Sequence, residues 1–219
     1  MPIRGYPLLG IWLSLLQKGP QPTSCWINTS YLPEQVEAFV QTQSSKINFP
    51  IHIFRENVLL GTAGTIKALL PHFLGEDLLL VHADNLSWFS LESFYSAHLK
   101  RPEQAELTMM TFETDTPQSC GIVELDENNL VQAFHEKVAR PPSNLANGAV
   151  YLISPAGLAR IKSMGPIFEF STQVIPEFIG KIYCWQNNIY HRDIGNPTSY
   201  DLAQTEFEQL AKLQKIEAT

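Results

Sequence analysis

The sequence predicts an α/β fold with a mixed sheet, on three observations. In the front half, strand-like segments alternate with helical segments at the spacing of βαβ units. Residues 77–81 are nearly all apolar, which is typical of a strand buried on both faces of a parallel sheet. After Ala105, strand-like segments follow one another with short connections. We therefore expect a parallel front half and a mixed back half.

The front half opens with a helix, because Leu8, Ile11, Trp12, Leu15 and Leu16 share one helical face. The helix that opens near Leu32 carries Pro33 in its first turn, where a missing N–H does no harm. The predicted order is helix 8–17, strand 24–28, a helix opening at 32–36, strand 51–54, a helix from 61 through 70, strand 77–81 and helix 90–98.

The back half is predicted to begin with four strands. They span residues 107–112, 121–125, 131–135 and 149–153. The turn residues 126–129 indicate a hairpin between the second and third of these strands. Helices follow at 155–163 and 171–178, and a charged amphipathic helix begins at Ser199 and runs to about Ile216 within the C-terminal segment 199–219. Because no linker separates two parts, we expect residues 1–219 to form a single domain.

Composition excludes several classes of protein. The formal net charge is -7 and no Lys/Arg run exceeds two residues, which disfavours nucleic acid as a partner. An acidic protein still binds anionic small molecules through backbone donors, a few placed cations or a metal ion. Cys25, Cys120 and Cys184 form no disulfide or zinc pattern, so a cytoplasmic setting is expected. The longest apolar run, residues 7–16, is too short to span a membrane.

Asp84 directly follows the predicted buried strand at residues 77–81. In an open α/β sheet, ligands bind outside the carboxyl ends of the strands. A carboxylate at that edge is well placed to hold Mg²⁺, which binds through one or two carboxylates and phosphate oxygens. The alternative is that Asp84 caps the following helix, because Asp is a favoured N-cap residue.

The segment Gly61-Thr62-Ala63-Gly64-Thr65 precedes a predicted helix, so its backbone N–H groups are expected at the positive helix end. That arrangement suits a phosphate group or the edge of a base. The segment lacks the Lys and the spacing of a P-loop. A turn with a glycine hinge is the alternative interpretation.

Three further positions offer polar groups beside turns or strand ends. Asp193 stands next to a Gly turn, or else it belongs to a surface loop and pairs with Arg192. The pair Glu136-Lys137 offers a phosphate-binding ammonium, or else it is a solvated charge pair. Asn147-Gly148 also fits a simple turn, which is the commonest use of that dipeptide.

Six motifs stand in a fixed order along the chain. They are Leu60-Gly61-Thr62-Ala63-Gly64-Thr65, His82-Ala83-Asp84-Asn85, Cys120-Gly121-Ile122-Val123-Glu124, Phe134-His135-Glu136-Lys137, Leu145-Ala146-Asn147-Gly148-Ala149-Val150-Tyr151 and Arg192-Asp193-Ile194-Gly195. Together they resemble the sugar-1-phosphate nucleotidyltransferase family, and most closely its mannose-1-phosphate guanylyltransferase-like members. Asn28-Thr29, Tyr31-Leu32 and Glu34-Gln35 are also similar to that family. The resemblance covers residues 1 to about 205.

The resemblance implies a nucleotidyltransferase-like, Rossmann-like fold in which helices flank a mixed sheet. It also implies a reaction. An oxygen of a sugar 1-phosphate attacks the α-phosphorus of a nucleoside triphosphate, pyrophosphate leaves, and a nucleoside diphosphate sugar forms. The protein aligns the two anions and neutralises charge at the pentavalent centre.

Carried over by motif match, Asp84 and Asp193 would hold Mg²⁺ between the phosphates. The segment 61–65 would face the base, and Lys137 would neutralise the sugar phosphate. Asp84, Lys137 and Asp193 would therefore be the catalytic residues. The sugar-binding residues implied by the resemblance are Gly121, Glu136 and Asn147. Val138 stands where many members have Pro, which should change loop stiffness more than chemistry.

The front of the chain departs from the family. Members begin with a strand and a Gly-rich G-x-G-T-R loop, followed by a Pro-Lys-Pro segment, whereas residues 1–9 are similar to the stretch just after that segment. Loss of a strand inside a sheet would leave unpaired backbone and an unfilled core position. Three explanations are open: a wrong start or a fragment of a longer enzyme, a shortened relative that binds without turnover, or another chain that supplies the missing piece. We expect residues 1–219 to release no pyrophosphate above background.

The resemblance favours GTP as the nucleotide and mannose 1-phosphate as the sugar phosphate, although the sequence does not name the base. The rival hypothesis is a non-catalytic subunit that binds a nucleotide sugar or sugar phosphate. A weaker alternative is a molybdenum-cofactor-type cytidylyl or guanylyl transfer domain, against which the Glu136-Lys137 and Asn147 motifs argue. The C-terminal helix offers a contact surface for a homo-oligomer.

Overall fold

The structure, a computed structural model, describes residues 2–73 and 75–214, with side chains up to residue 209. Its helices are α1 (Leu8–Lys18), α2 (Pro33–Gln43), α3 (Gly61–Leu69), α4 (Leu91–Leu99), α5 (Pro155–Ser163) and α6 (Pro197–Gln214). Its strands are β1 (Pro2–Ile3), β2 (Tyr6–Pro7), β3 (Cys25–Thr29), β4 (Ile51–Arg55), β5 (Leu78–Val81), β6 (Asn85–Trp88), β7 (Leu107–Glu113), β8 (Gly121–Leu125), β9 (Val131–Glu136), β10 (Leu145–Ile153), β11 (Ile182–Gln186) and β12 (Tyr190–Asp193).

Strand β10 lies inside the largest sheet and pairs antiparallel along both edges. Strand β7 follows one edge, while β5 and β8 share the other. Strand β9 pairs with β8, and β11 runs parallel to β7. Because β5 and β7 both run opposite to β10, the carboxyl ends of β5, β7 and β11 lie at one edge of the sheet.

Three shorter ladders complete the topology. Strands β3 and β4 form a separate parallel pair, β6 and β12 form an antiparallel pair, and β1 and β2 form a small hairpin. The α/β class and the mixed sheet flanked by helices are confirmed. That the strand preceding the Gly-rich loop is missing remains a prediction from the sequence.

The described core has two large apolar clusters on opposite faces of the sheet and a small third one of Phe112, Ile122 and Ala146. Val150 and Leu152 of β10 belong to one cluster, together with α1, and Tyr151 and Ile153 belong to the other. Successive side chains of a strand point to opposite faces, so this alternation places a cluster on each side. The apolar runs read from the sequence therefore mark strands that are covered on both faces.

Several predicted elements differ from the structure. The helix predicted at 171–178 is wrong: the segment is one π-helical turn, Phe170–Val174, followed by a 3₁₀ turn, Ile175–Phe178. Pro176 lacks an N–H and cannot continue a regular helix there. Strands β1, β2, β6, β11 and β12 were not predicted. The C-terminal helix begins at Pro197, and residues 215–219 lie outside the described part of the chain.

Within the part of the chain that the structure describes, no helix is both long and apolar enough to cross a bilayer.

Glu106 joins three elements through charged hydrogen bonds. Its carboxylate accepts bonds from Arg160 Nε and Nη2 at 2.6 and 2.7 Å and from Lys181 Nζ at 2.7 Å. Arg160 belongs to α5 and Lys181 directly precedes β11, so the cluster ties both elements to the start of β7. The bonds from Arg160, more than those from Lys181, hold the pKa of Glu106 at about 2, below its ordinary value of 4.5.

We expect Glu106→Gln to lower the free energy of unfolding at pH 7 by about 1–3 kcal/mol, because it removes a charged partner from both cations. A carboxyl whose pKa is lowered by folding stabilises the protein above its unfolded pKa and loses that effect as pH falls. The difference between wild type and variant should therefore shrink from pH 4.5 down to about 2. Urea unfolding at each pH, followed by circular dichroism, measures the unfolding free energies of both proteins. The exposed Glu103→Gln serves as control, and a difference that does not change with pH would contradict the assignment.

Candidate functional site

Asp84 and Asp193 are brought side by side by the β6–β12 ladder. Asn85, which directly follows Asp84, is the register partner of Asp193. Residues directly opposite in such a ladder have Cα atoms about 4.5–5.5 Å apart. Both aspartates are exposed. The ladder therefore places two carboxylate-bearing residues next to each other, beyond the carboxyl end of β5.

The alternative explanations for these two aspartates are wrong. Asp84 leads into strand β6 rather than a helix, and α4 is capped by Ser90, whose Oγ accepts a bond from Ser93 N at 3.1 Å. Arg192 does not pair with Asp193. Its Nε and Nη2 instead donate to the Glu206 carboxylate at 2.6 and 2.7 Å. Asp193 Oδ1 instead accepts the N–H of Gly195 at 2.7 Å.

His191 fixes strand β12 near Asp193. Its Nδ1 lies 2.6 Å from Ser87 Oγ on β6, and its ring centroid lies 4.2 Å from that of Phe112. Burial lowers the pKa of His191 to about 4, so its imidazole is neutral near pH 7. A neutral ring in a cross-strand bond holds the ladder that carries Asp193. Sequence reasoning missed this role, because a single His gives no signal of its cross-strand partner.

The donor set fits a metal ion that also takes ligands from a substrate. Within residues 2–73 and 75–214, no group of three or more His, Cys, Asp or Glu side chains could hold a metal ion. Two carboxylates alone do not fill an octahedral shell. They match the way Mg²⁺ is usually held, through one or two carboxylates, water and phosphate oxygens.

The segment 61–65 is the first turn of α3 rather than a loop before it. The expected free N–H is absent at Ala63, which is fully buried and donates to Phe168 O at 3.0 Å. Thr65 is also buried, and its hydroxyl bonds Glu56. Gly61, Thr62 and Gly64 are only half-buried, so these three are the members that a ligand can reach.

Glu56 organises this turn and was missed by sequence reasoning. The residue is 5% exposed and accepts bonds from Asn28 Nδ2 at 3.1 Å, from Leu60 N at 3.0 Å and from the Thr65 hydroxyl. A buried carboxylate needs such donors when water is excluded. Glu56 therefore fixes the start of α3 relative to the end of β3. A Glu beside Asn57 gives no sequence signal of burial.

His82 joins the turn to the carboxyl end of β5. Its Nε2 lies 3.3 Å from Thr62 Oγ1, and its backbone N–H donates to Ala149 O at 3.2 Å. Burial lowers the pKa of His82, while the nearby carboxylates of Asp84 and then Glu169 oppose the shift. Both carboxylates therefore lie close enough to His82 to influence its imidazole.

Gly121 and Glu136 are register partners on β8 and β9. A Cβ atom at Gly121 would lie 2.8 Å from Glu136 Oε2 and 2.4 Å from Phe134 Cζ, so a side chain at this position would require the Phe134 ring and the Glu136 carboxylate to shift. Burial raises the pKa of Glu136, and Lys137 opposes that shift. Lys137 Nζ lies 3.9 Å from Glu136 Oε1 with 66% of its side chain exposed, which leaves the ammonium available to a ligand.

Asn147 lies within strand β10, so the simple-turn interpretation of Asn147-Gly148 is wrong. The register of β10 against β7 shifts between Asn147 and Tyr151, and Ala149 takes a φ of 52°. Asn147 Oδ1 accepts Ala149 N at 3.0 Å, and its Nδ2 donates to the Tyr151 hydroxyl at 2.7 Å. The bulge thus fixes the orientation of the Asn147 side chain.

An open groove of about 520 Å³ lies at the carboxyl ends of β7 and β11. Glu113, Asn188, Arg192 and Glu206 contribute to its wall. None of the site residues predicted from the sequence lines it. The predicted residues instead gather around His82, Glu136 and the β6–β12 ladder.

A mixed sheet with paired carboxylates beyond a strand's carboxyl end is the arrangement of an α/β ligand-binding protein. The family model described as nucleotidyl transferase matches residues 1–209, and the chain belongs to that family. The predicted family is thereby confirmed.

Curated relatives agree with this family. The mannose-1-phosphate guanylyltransferase of Mycobacterium tuberculosis is 28% identical over 178 residues, which cover 80% of this chain and 48% of the relative. The mannose-1-phosphate guanylyltransferase catalytic subunit beta of Drosophila melanogaster is 26% identical over 176 residues, covering 78% and 46%. The chain spans about half the length of these curated relatives.

A solved structure shares the fold. HddC from Yersinia pseudotuberculosis, complexed with GMP-PN, superposes with a TM-score of 0.76 at 22% identity. The superposition covers 94% of this chain and 88% of that chain.

We expect Gly61→Ala to destabilise the protein more than Gly180→Ala does. Both glycines have positive φ, 70° and 78°, and a side chain there costs about 1–2 kcal/mol. A Cβ at Gly61 would also lie 2.4 Å from Phe168 O, whereas nothing lies within 4 Å at Gly180. That clash should add about 1–3 kcal/mol to the loss of unfolding free energy. Urea unfolding of the two variants measures the difference, and equal losses would show that Phe168 does not pack on this turn.

Proposed function

We propose that the first turn of α3, strands β8 to β10 and the β6–β12 ladder border a cleft that binds a nucleoside triphosphate, with GTP favoured, and a sugar 1-phosphate. Its proposed reaction is Mg²⁺-dependent nucleotidyl transfer. The pairing of Asn85 with Asp193 carries the proposal, because it sets Asp193 beside Asp84. Two adjacent exposed carboxylates at the ligand-binding edge of an α/β sheet suit a metal ion shared with phosphates.

Asp84 and Asp193 would hold the Mg²⁺ ion. When bound, that ion would neutralise phosphate charge and orient the triphosphate. The nucleotide would lie along the first turn of α3, where Gly61, Thr62 and Gly64 are reachable. Glu56 and the Phe168 carbonyl hold this turn before any ligand arrives. A surface held in advance reduces the ordering cost of binding.

The sugar 1-phosphate would lie against β8, β9 and β10. Glu136 and Asn147 offer acceptors and donors for hydroxyl groups. Because Gly121 has no side chain, the Glu136 carboxylate can lie directly against its Cα. Bonds to Ala149 and Tyr151 fix the Asn147 amide, yet its Nδ2 has a second hydrogen and its Oδ1 a second lone pair. The exposed Lys137 ammonium would neutralise the sugar phosphate.

Relatives support the choice of substrates. The two curated relatives described above are named as a mannose-1-phosphate guanylyltransferase and as a catalytic subunit of one, and the superposed HddC structure is complexed with GMP-PN. We therefore favour guanine as the base and mannose 1-phosphate as the acceptor.

A non-catalytic binding subunit is the second candidate, and the charges of the cleft favour it. Among the residues assigned above to metal, nucleotide and sugar, Lys137 alone is a basic side chain, against Asp84, Glu136 and Asp193. A leaving pyrophosphate needs more neutralisation than a bound nucleotide sugar does.

We expect Asp84→Asn and Asp193→Asn each to weaken GTP binding in the presence of MgCl₂. The loss should be at least the roughly 10- to 100-fold that follows removal of an outer-shell partner of a metal. In EDTA, the variants and the wild type should bind GTP with similar affinity, because the metal contribution is then absent. Isothermal titration calorimetry measures both conditions.

The matched control for this experiment is Asp201→Asn, which removes an exposed carboxylate on α6. It should bind GTP like the wild type with and without Mg²⁺. Unchanged Mg²⁺-dependent affinity in Asp84→Asn and Asp193→Asn would refute the metal assignment.

Pyrophosphate release separates the two candidate functions. The protein would be mixed with GTP, mannose 1-phosphate and MgCl₂, and release would be followed with a coupled assay. Release above background that Lys137→Ala abolishes supports nucleotidyl transfer. Binding of GTP or GDP-mannose without release supports the binding subunit, in line with the expectation from the sequence.

A further inference from the structure

The first turn of α3 is held from three directions, and one of them leads to the metal-binding end of the cleft. Glu56 holds Leu60 N and the Thr65 hydroxyl from the side of β3 and β4. Phe168 O accepts Ala63 N from the segment before the π-helical turn. The third contact joins Thr62 Oγ1 to His82 Nε2 at 3.3 Å.

His82 is itself well anchored. It directly follows β5, and its N–H donates to Ala149 O on β10 at 3.2 Å. It also stands two positions before Asp84 in the chain. The contact with Thr62 therefore runs from the reachable face of the α3 turn to the backbone that carries Asp84.

We propose that His82 is a positioning residue that holds Thr62, and with it the first turn of α3, at a fixed distance from Asp84. The part of this proposal that concerns ligands rests on the proposed function. The α3 turn receives the nucleotide and Asp84 receives the metal, so a fixed separation aligns the base with the phosphates. Misplacement of such groups by even 1 Å is costly in an aligned site.

The chemistry of the pair suits this role. A neutral imidazole nitrogen is a donor or an acceptor according to its tautomer, and a hydroxyl can complement either state. A Phe side chain at position 82 would fill similar space without a hydrogen-bonding group, and Val at position 62 would replace Thr with the same shape. Ser at position 62 keeps the hydroxyl.

Hydrogen exchange of the unliganded protein tests whether the contact holds the turn. Amide exchange in residues 61–69 would be followed by mass spectrometry in His82→Phe, Thr62→Val and Thr62→Ser. We expect exchange in His82→Phe and Thr62→Val to be about 2- to 10-fold faster, the range of one net hydrogen bond. Thr62→Ser should restore most of the protection. His52→Phe, which changes an exposed His on β4, is the matched control.

GTP affinity in MgCl₂ tests whether the contact matters to the site. His82→Phe and Thr62→Val should each weaken binding about 2- to 10-fold, and the double variant should be no weaker than either. A merely structural role would lower the free energy of unfolding and leave the affinity of the folded protein unchanged.

The outcomes are distinct. Unchanged exchange in His82→Phe and Thr62→Val overturns the positioning role, whatever the affinities. The proposal is also overturned if exchange changes but the single variants keep the GTP affinity of the wild type. The same holds if the double variant loses the sum of the two single losses, because the contact then does not serve the site. If the wild type binds no GTP while exchange responds as expected, the proposed function fails and the holding of the α3 turn by His82 stands.

Discussion

The pairing of strand β10 along both of its edges is the constraint on which the candidate site depends. One edge of β10 meets β8 near Ala146 and β5 from Val150 onward, so one strand carries both the β8–β9 hairpin and the strand that ends before Asp84. The bulge between those two contacts turns Asn147 toward Tyr151 and offers Ala149 O to His82. A change of register in β10 would therefore displace the β8–β9 hairpin, which carries Glu136, relative to β5 and Asp84.

Much of the fold could be predicted because the sheet is covered on both faces. Apolar runs such as β5 and the helical face of α1 record burial directly, and their predicted positions agree with the structure. Strands β6 and β12 escaped prediction because each has only four residues and mixes polar with apolar side chains. The segment that begins at Phe170 failed for a different reason, since Pro176 interrupts an otherwise helical pattern.

The sequence offered candidate site residues but not the contacts between them. Motif order identified Asp84, Glu136 and Asp193, yet no local pattern shows that Asp193 stands opposite Asn85, because that neighbour is over a hundred residues distant in the chain. Glu56 and His82 were missed as organising residues for the same reason. Their importance comes from partners on other elements, and pairings between elements are a property of the tertiary structure.

We propose that Asp84 and Asp193 together hold one divalent ion that also binds the nucleotide. The most direct measurement is anomalous scattering from Mn²⁺ in crystals grown with a non-hydrolysable GTP analogue, with Mn²⁺ standing in for Mg²⁺. We expect a strong peak within bonding distance of carboxylate oxygens from both aspartates and of phosphate oxygens of the analogue. A peak that touches neither aspartate, or an analogue bound elsewhere on the protein, would contradict it.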